Sequence, residues 1–275
     1  MHQVFRSRRL MRAGVRNLLN IRTRRVSLAP PGLPRAFDGF SILLLSDMHL
    51  GSIPELGPAV VRVIEGLRAD VCVFAGDFRL YAHQSGPTFE TDLRRIVDAV
   101  RAPAGLYGVL GNHDTIDDAR LADCLGIRML VNEAVSIRRD GATIRLAGVD
   151  DPHTYRLDDL DRALAGAPKG AFTVLAAHTS EIAADAAHKG VGLYLCGHTH
   201  GGQICLPGGV PLLVSTRSPR AYACGEWDLR GMKGYTSAGV GASIVPARFN
   251  CPGEVVTIEM RAKSSRTRPA RTSCP

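Results

Sequence analysis

Five short polar clusters, rich in histidine and aspartate, interrupt the first 200 residues of this 275-residue chain. Together they contain Asp47, His49, Asp77, Asn112, His113, His178, His198 and His200. A single histidine after a strand is ordinarily a surface or core residue, but no packing requirement explains five such clusters. Nitrogen ligands mixed with carboxylates suit transition metals such as Mn, Fe, Ni or Zn, so the set predicts a metal site.

The spacing within two clusters supports the same interpretation. D-x-H at 47–49 and H-x-H at 198–200 place alternate side chains on one side of an extended segment, so each pair can reach neighbouring metals. Glycines precede Asp77, Asn112 and His198, and glycine permits sharp turns and a close approach of the backbone. These residues are therefore expected on tight turns.

The elements that must position the clusters can be predicted from the apolar pattern. Six apolar runs are typical of buried strands, at 41–46, 71–75, 106–110, 143–149, 172–177 and 192–196. Segments 57–67 and 91–100 are predicted crossover helices, which gives an α/β pattern. Fewer helices separate the later strands, so some antiparallel pairing is expected there. All of the runs except 143–149 end directly at a polar cluster, and ligands bind beyond the carboxyl ends of strands.

Charge divides the chain into three regions. Residues 1–35 hold nine Arg and no acid, residues 261–275 hold five basic residues and no acid, and residues 36–260 hold 20 bases and 26 acids. We predict a basic N-terminal arm with a Pro-rich linker (1–35), a folded domain (36–260) and a basic disordered tail (261–275). The body is acidic where a nucleic-acid surface should be basic, so no specific nucleic-acid partner is expected.

The N-terminal arm has the pattern of an amphipathic helix. Its apolar side carries Val4, Met11, Val15 and Leu18, and its opposite side carries Arg9, Arg12 and Arg16. Such a helix can lie on an anionic membrane surface. The alternatives are a solvated or partly disordered leader, or a helix packed on the body. No run of 18 apolar residues predicts a transmembrane helix. The expected location is the cytoplasm, with peripheral attachment to the inner face of the cell membrane as one option.

The order of the motifs resembles that of a known superfamily. D-x-H, G-D, G-N-H-D, a single His and G-H-T-H occur in this order in calcineurin-like metallophosphoesterases, and the resemblance spans roughly residues 41–205. The string GHTHGGQI at 197–204 is similar to one bacterial branch, as are GVDD at 148–151 and RFNCPGE at 248–254. The resemblance implies a four-layer αββα sandwich of two mixed sheets, with the metal site at the carboxyl edge of the strands.

The resemblance also implies a role for each residue. One metal would be held by Asp77 together with Asp47, His49 and His200. The other would be held by the same Asp77, as a bridge, with Asn112, His178 and His198. A metal-bridging hydroxide would attack phosphorus in line, and His113 would stabilise charge or protonate the leaving oxygen. Two divalent transition-metal ions are expected, with Mn²⁺ first and Fe, Ni or Zn as alternatives.

Three functions stay open at this point. The first is a dinuclear-metal phosphohydrolase that cleaves a phosphodiester or a diphosphate. The second is a UDP-2,3-diacylglucosamine-type diphosphatase at the membrane face, since members of the branch include both kinds of enzyme. The third is a metal-stabilised interaction module whose basic arms bind membrane or RNA. The expected partner is accordingly a phosphorylated small molecule or a lipid-linked substrate.

Several further residues allow two interpretations each. Asp114 could orient His113 or could be an exposed residue at a helix start. Arg79 could contact phosphate or pair with an acid. The pair Asp150–Asp151 could line the pocket or form a turn. His153 could face the substrate or lie in a surface loop, and the surface loop is the favoured interpretation.

Overall fold

The computed structural model describes residues 8–80 and 87–262. Within these residues the helices are α1 (Arg8–Leu19), α2 (Leu56–Ile64), α3 (Pro87–Ala99), α4 (Ile116–Cys124), α5 (Leu160–Leu164) and α6 (Ala183–His188). The strands are β1 (Arg22–Leu28), β2 (Ser41–Leu45), β3 (Val71–Ala75), β4 (Leu106–Val109), β5 (Ile127–Met129), β6 (Glu133–Arg139), β7 (Ala142–Gly148), β8 (Thr173–Ala176), β9 (Leu193–Cys196), β10 (Gly225–Leu229), β11 (Met232–Thr236) and β12 (Glu254–Met260).

The strands form two mixed sheets of six strands each. The first has the order β1-β12-β2-β3-β4-β5, and the second has the order β10-β11-β9-β8-β7-β6. In the first sheet only the β12–β2 pair is antiparallel, and in the second sheet the β10–β11 and β6–β7 pairs are antiparallel. Each antiparallel pair includes a strand that begins after residue 130, as the sparse helices of this region predicted.

Alternation along each strand explains the layers. In β2, Ile42 and Leu44 pack in the core between the sheets, while Leu43 and Leu45 pack in the core beneath the helices of the first sheet. Small residues of α5 and α6, including Ala163 in α5, pack on the outer face of the second sheet. The result is four layers in the order helix, sheet, sheet, helix, which confirms the predicted αββα sandwich.

The six predicted strands correspond to β2, β3, β4, β7, β8 and β9, and each boundary agrees within one residue. The predicted helices correspond to α2 and α3. The pattern did not predict strands β1, β5, β6, β10, β11 and β12. Strands β1, β5, β6 and β10 lie at the sheet edges. Strands β11 and β12 lie inside their sheets, but polar residues such as Lys233, Thr257 and Glu259 interrupt their apolar runs.

The N-terminal helix packs on the body instead of standing apart as a free arm. Leu18 is fully buried in the core beneath the first sheet. A Cβ atom placed on Gly14 would lie 2.5 Å from the Cβ of Ala247. Asn17 Nδ2 donates to the carbonyl oxygen of Arg248 at 3.0 Å. Of the alternatives stated above, the packed helix is therefore the one seen. Val4 lies outside the described residues.

Part of the predicted N-terminal arm is also a strand. β1 pairs in parallel with β12 along its whole length, and only Val26 and Leu28 of β1 are buried. Arg24 Nε lies 3.0 Å from Glu254 Oε2 across this pair. Because only two side chains of β1 are apolar and buried, its alternation was too short to predict a strand. A charged edge strand discourages further strand pairing.

Of the predicted tail, residues 263–275 lie outside the described residues. Among residues 8–80 and 87–262, no helix has the length and apolar content needed to cross a bilayer.

Candidate metal centre

All five polar clusters lie beyond the carboxyl ends of strands β2, β3, β4, β8 and β9. Five of the predicted ligands have left-handed backbone angles: φ is 50° at Asp47, 43° at His49, 56° at Asp77, 73° at His198 and 53° at His200. This conformation is uncommon for residues other than glycine and costs about 1 kcal/mol or more at each position. Five such residues at one sheet edge persist only because the surrounding structure enforces them, which is typical of functional sites.

Glycines make room for the carboxylates of this edge. A Cβ atom on Gly111 would overlap the carboxylate of Asp77, and one on Gly197 would overlap the side chains of Ser46 and Asp47. Gly239 also lies against this edge, since a Cβ atom there would be 2.7 Å from the Cβ of Asp47. The close backbone approach predicted from the glycine positions is therefore present.

The first donor cluster contains Asp47, His49 and His200, and all three side chains are buried. His49 Nε2 lies 3.1 Å from His200 Nε2. His200 Nε2 lies 3.5 Å from Asp47 Oδ1. Ser46 donates to the other oxygen of the Asp47 carboxylate. Two imidazole nitrogens and one carboxylate oxygen thus converge on one point.

The second donor cluster, which contains Asp77, His178 and His198, lies beside the first. His178 Nε2 is 3.3 Å from Asp77 Oδ2, 3.3 Å from His198 Nδ1 and 3.1 Å from Asn112 Oδ1. Asp77 Oδ2 is also 3.5 Å from His49 Nε2 of the first cluster. One carboxylate oxygen therefore stands between the two clusters.

The ring nitrogens that converge are free to bind a cation. His49 Nδ1 donates to the carbonyl of Arg79 at 3.1 Å, and His178 Nδ1 donates to the carbonyl of Ala75 at 2.8 Å. These bonds fix the rings and turn Nε2 of each toward the clusters, as in metal sites whose histidines are held by backbone carbonyls. Nitrogen and oxygen donors facing one another at 3.1 to 3.5 Å fit divalent metal ions placed between them.

The charges of the site favour the same conclusion. Burial lowers the pKa of His49 to about 4 and the pKa of His198 to about 2, so both rings are neutral, as metal ligands must be. At His178, burial opposes protonation, but the carboxylates of Asp77 and Asp47 outweigh it and raise the pKa to about 10. The two carboxylates therefore stabilise positive charge between them.

His113 lies at the open side of the site and is half-buried. Its Nδ1 donates to the carbonyl of Leu80 at 2.5 Å, and its backbone N–H donates to Asp77 Oδ1 at 2.9 Å. The ring centroid is 4.9 Å from that of His49. These bonds hold His113 in place and leave Nε2 as its remaining polar ring atom.

Two neighbouring residues are better explained by the structure than by the sequence. Asp114 is neither exposed nor bonded to His113: its buried carboxylate accepts from the backbone N–H groups of Asp77, Phe78 and Gly111 at 2.7 to 2.8 Å. It joins the two loops that carry ligands, and burial together with Asp77 raises its pKa to about 8. Arg79 forms an ion pair with Asp118, which is the second of its two interpretations.

Sequence reasoning missed Arg248, whose side chain is fully buried. Its guanidinium donates to the carbonyls of Gly241 at 2.8 Å, Ala238 at 2.7 Å, Gly239 at 3.1 Å and His200 at 3.2 Å. It thus ties the ligand loop of the first cluster to the segment before β12. Its only signal in the sequence was its place in the RFNCPGE string.

His153 also lies closer to the site than the favoured surface-loop interpretation allowed. Its ring centroid is 4.3 Å from that of His198. The turn interpretation holds for Asp151, whose carboxylate accepts from the backbone N–H groups of His153, Thr154 and Tyr155 at 2.7 to 3.0 Å. This Asp-built turn is what brings His153 beside the second cluster.

Two clusters of histidine and aspartate at the carboxyl edge of a four-layer αββα sandwich are typical of metal-dependent hydrolases. The sequence model described as calcineurin-like phosphoesterase matches residues 40–202, more than half of the chain. The chain belongs to the calcineurin-like phosphoesterase family and is a metal-dependent phosphoesterase.

Several relatives share this similarity over most of the chain. The uncharacterized metallophosphoesterase YkuE of Bacillus subtilis is 27% identical over 244 residues, which cover 84% of this chain and 82% of the relative. The phosphodiesterase YaeI of Escherichia coli is 26% identical, with 80% of this chain and 82% of the relative covered. A bovine transmembrane protein with a metallophosphoesterase domain is 31% identical over 84% of this chain, but the chain spans only 55% of that relative.

Proposed function

We propose that this chain is a dinuclear-metal phosphohydrolase that cleaves a phosphodiester or a diphosphate. The observation that carries the proposal is the position of Asp77, whose Oδ2 lies 3.5 Å from His49 Nε2 on one side and 3.3 Å from His178 Nε2 on the other. A single carboxylate between two sets of donors suits a bridged pair of ions. The relative named as a phosphodiesterase supports the substrate class.

Each predicted ligand has a place in this arrangement. Asp47, His49, Asp77 and His200 would hold one ion, and Asp77, Asn112, His178 and His198 would hold the other. When bound, the ions would supply positive charge for the phosphate oxygens and an activated water for the attack. Mn²⁺ is the expected ion, with Fe, Ni or Zn as alternatives.

His113 is the residue proposed to act on the substrate itself. Because its Nδ1 is bonded to the carbonyl of Leu80 at 2.5 Å, only Nε2 is available to the substrate. From this position the ring would stabilise negative charge on the phosphoryl group or protonate the leaving oxygen. The backbone bond to Asp77 keeps the ring next to the proposed bridge.

The test is an activity screen of the full chain on bis(p-nitrophenyl) phosphate and p-nitrophenyl phosphate, with Mn, Ni, Zn or Mg after removal of metals with a chelator. We expect turnover of the diester with transition metals, none without metal, and recovery when metal is added back. Absence of turnover of any phosphoester by protein that holds two ions per chain would contradict the proposal and favour the interaction module instead.

A second candidate is a lipid-linked diphosphatase at the inner face of the cell membrane. The observation that favours it is an exposed apolar segment, residues 206–213, shortly after the last ligand. Its aliphatic side chains are 50 to 67% exposed: Leu206, Val210, Leu212 and Leu213. Exposed patches of this kind mark interaction sites. Co-sedimentation with anionic vesicles, compared between wild type and Leu212→Ser with Leu213→Ser, tests it: equal sedimentation would exclude this segment as a membrane contact.

A further inference from the structure

Three side chains from separate loops form a connected group at the rim of the second donor cluster. His153 follows β7, Glu181 follows β8 and Arg217 precedes β10. His153 Nδ1 lies 2.7 Å from Glu181 Oε1, and Arg217 Nη1 donates to Glu181 Oε2 at 3.3 Å. Arg217 Nη2 also donates to the carbonyl of His153 at 2.9 Å. We call His153, Glu181 and Arg217 the rim group.

The rim group lies one side chain away from the proposed metal site. The ring of His153 packs against the ring of His198 at a centroid distance of 4.3 Å. His198 Nδ1 faces the second cluster, 3.3 Å from His178 Nε2. The rings of His198 and His153 and the carbonyl of His153 therefore connect the second cluster to Arg217.

Two side chains at the rim, His198 and Arg217, have N–H groups that are not all bonded within the described residues. His198 Nε2 is buried and, among the described residues, has no hydrogen-bond partner. With Nδ1 turned to the cluster as an acceptor, this Nε2 carries the proton and is a donor. Arg217 has five N–H groups on its guanidinium, and its side chain is 51% exposed although two of its nitrogens are bonded.

The one acid of the group does not repel an anion from this place. Glu181 is 8% exposed, and its carboxylate is bonded to the His153 ring, the Arg217 side chain and the Arg217 backbone N–H at 3.1 Å. These hydrogen bonds neutralise the charge of Glu181, and Glu181 in turn holds the Arg217 guanidinium at the rim. Glu181 and the carbonyl of His153 are positioning elements for Arg217.

From these observations we infer that Arg217 binds a second anionic group of the substrate, next to the phosphoryl group held at the donor clusters. A guanidinium presents planar, paired donors that match a phosphoryl group. The favoured substrates are therefore those with two adjacent phosphoryl groups, as in a diphosphate linkage, over diesters with a single phosphate. This inference rests on the proposed function and chooses between its two substrate classes.

The test compares Arg217→Ala with wild type on a substrate with one phosphate, bis(p-nitrophenyl) phosphate, and one with two, diadenosine diphosphate. We expect kcat/KM for the diphosphate to fall about 10- to 100-fold, mainly through KM, as for the loss of a charge-assisted hydrogen bond. The same ratio for the monophosphate diester should stay within about threefold. Arg220→Ala, an exposed arginine of the same loop, is the matched control.

Binding gives an answer that does not depend on turnover. Calorimetry of metal-loaded protein should show pyrophosphate binding weakened about 10-fold or more by Arg217→Ala and less by Glu181→Gln, with inorganic phosphate binding and metal content unchanged. Equal affinity of wild type and Arg217→Ala for pyrophosphate would overturn the inference, as would equal losses on both substrates. Failure of the proposed function would look different, since wild type would then turn over neither substrate.

Discussion

The two donor clusters are built from similar residues but are held in different ways. The first cluster, around Asp47, is enclosed by the chain: Arg248 donates to the backbone carbonyl of His200, a member of the cluster, and Gly239 lies against the carboxylate of Asp47. The second cluster, around His178, opens toward Asn112 and the rim group, which are partly exposed. The first is supported by segments far away in sequence, and the second by the loops that would meet substrate.

This difference separates two kinds of damage. Changes behind the first cluster should loosen a metal and weaken the fold while leaving substrate contacts intact. Changes around the second cluster should alter turnover or specificity while leaving the fold intact. Asp77 belongs to the second cluster, and its Oδ2 also lies 3.5 Å from His49 Nε2 of the first, so a change there should cause both kinds of loss in full.

The largest effect is expected for Asp77→Asn. The amide cannot provide the charge that the carboxylate places between His49 and His178, so turnover should be abolished and at least one metal per chain lost. Metal analysis and a diesterase assay of the purified variant measure this. Asp117→Asn is the control, because Asp117 is exposed. Two retained ions with normal activity would show that Asp77 is not a bridge.

His113→Ala should give the next largest effect and should leave both clusters filled. The lost group is proposed to act on the substrate, so kcat should fall about 10²- to 10⁴-fold, the range for an acid–base group. Metal content should equal that of wild type. If the variant loses a metal, His113 is a metal ligand instead. Its ring centroid lies 4.9 Å from that of His49, so metal content must be measured together with kcat.

Of the two clusters, Arg248→Met should affect only the first, and it should also destabilise the fold. The substitution leaves the carbonyls of Ala238, Gly241 and His200 without their donor, which should cost about 3 kcal/mol or more in the free energy of unfolding. Metal content should fall toward one ion per chain, and thermal unfolding should shift downward.

Two further variants keep the Arg248 prediction decisive. Arg248→Lys retains the charge but not the fork of donors, so it should fold and still lose metal from the first cluster. Arg261→Met, at an exposed arginine bonded to Glu259, should change neither quantity. Full metal content in Arg248→Lys would mean that the carbonyl contacts do not support the cluster.

The contrast between the two clusters also explains which residues of the site could be predicted from the sequence. The donor side chains that meet at the site were predictable because Asp47 or His178 needs only its residue type and its place after an apolar run to suggest its chemistry. Arg248 was not, since it is one of 34 basic residues and its role depends on carbonyls that converge only after folding. The position of His153 could not be decided from the sequence for a similar reason, because a turn built by Asp151 determines where its ring lies.

Helix α1 shows the same limit at the level of an element. The apolar face predicted a helix correctly, but periodicity cannot tell a membrane from a protein surface as the partner of that face. The information that decides lies in residues more than 200 positions later, where Ala247 and Arg248 meet Gly14 and Asn17.

The smallest effect tests that contact and concerns Gly14. In the interior of an isolated helix, Gly→Ala stabilises by about 0.5–1 kcal/mol. Here the added methyl group would lie 2.5 Å from Ala247 Cβ and 3.0 Å from the ring of Phe249, so α1 must shift. Overpacking typically costs about 1–3 kcal/mol, and we therefore expect a net destabilisation of about 0.5–2 kcal/mol in denaturant unfolding.

Gly66→Ala is the matched control for this sign reversal, because a Cβ atom on Gly66 would meet no atom within 4 Å. Its effect should stay within about 0.5 kcal/mol. The backbone N–H of Arg248 donates to the carbonyl of Gly14 at 3.1 Å. A shift of α1 should therefore also displace Arg248, which supports His200. Any metal lost by Gly14→Ala should therefore come from the first cluster, with kcat on a small diester unchanged in the fully loaded protein. Stabilisation by Gly14→Ala, as in a free helix, would mean that α1 does not pack on the body in solution.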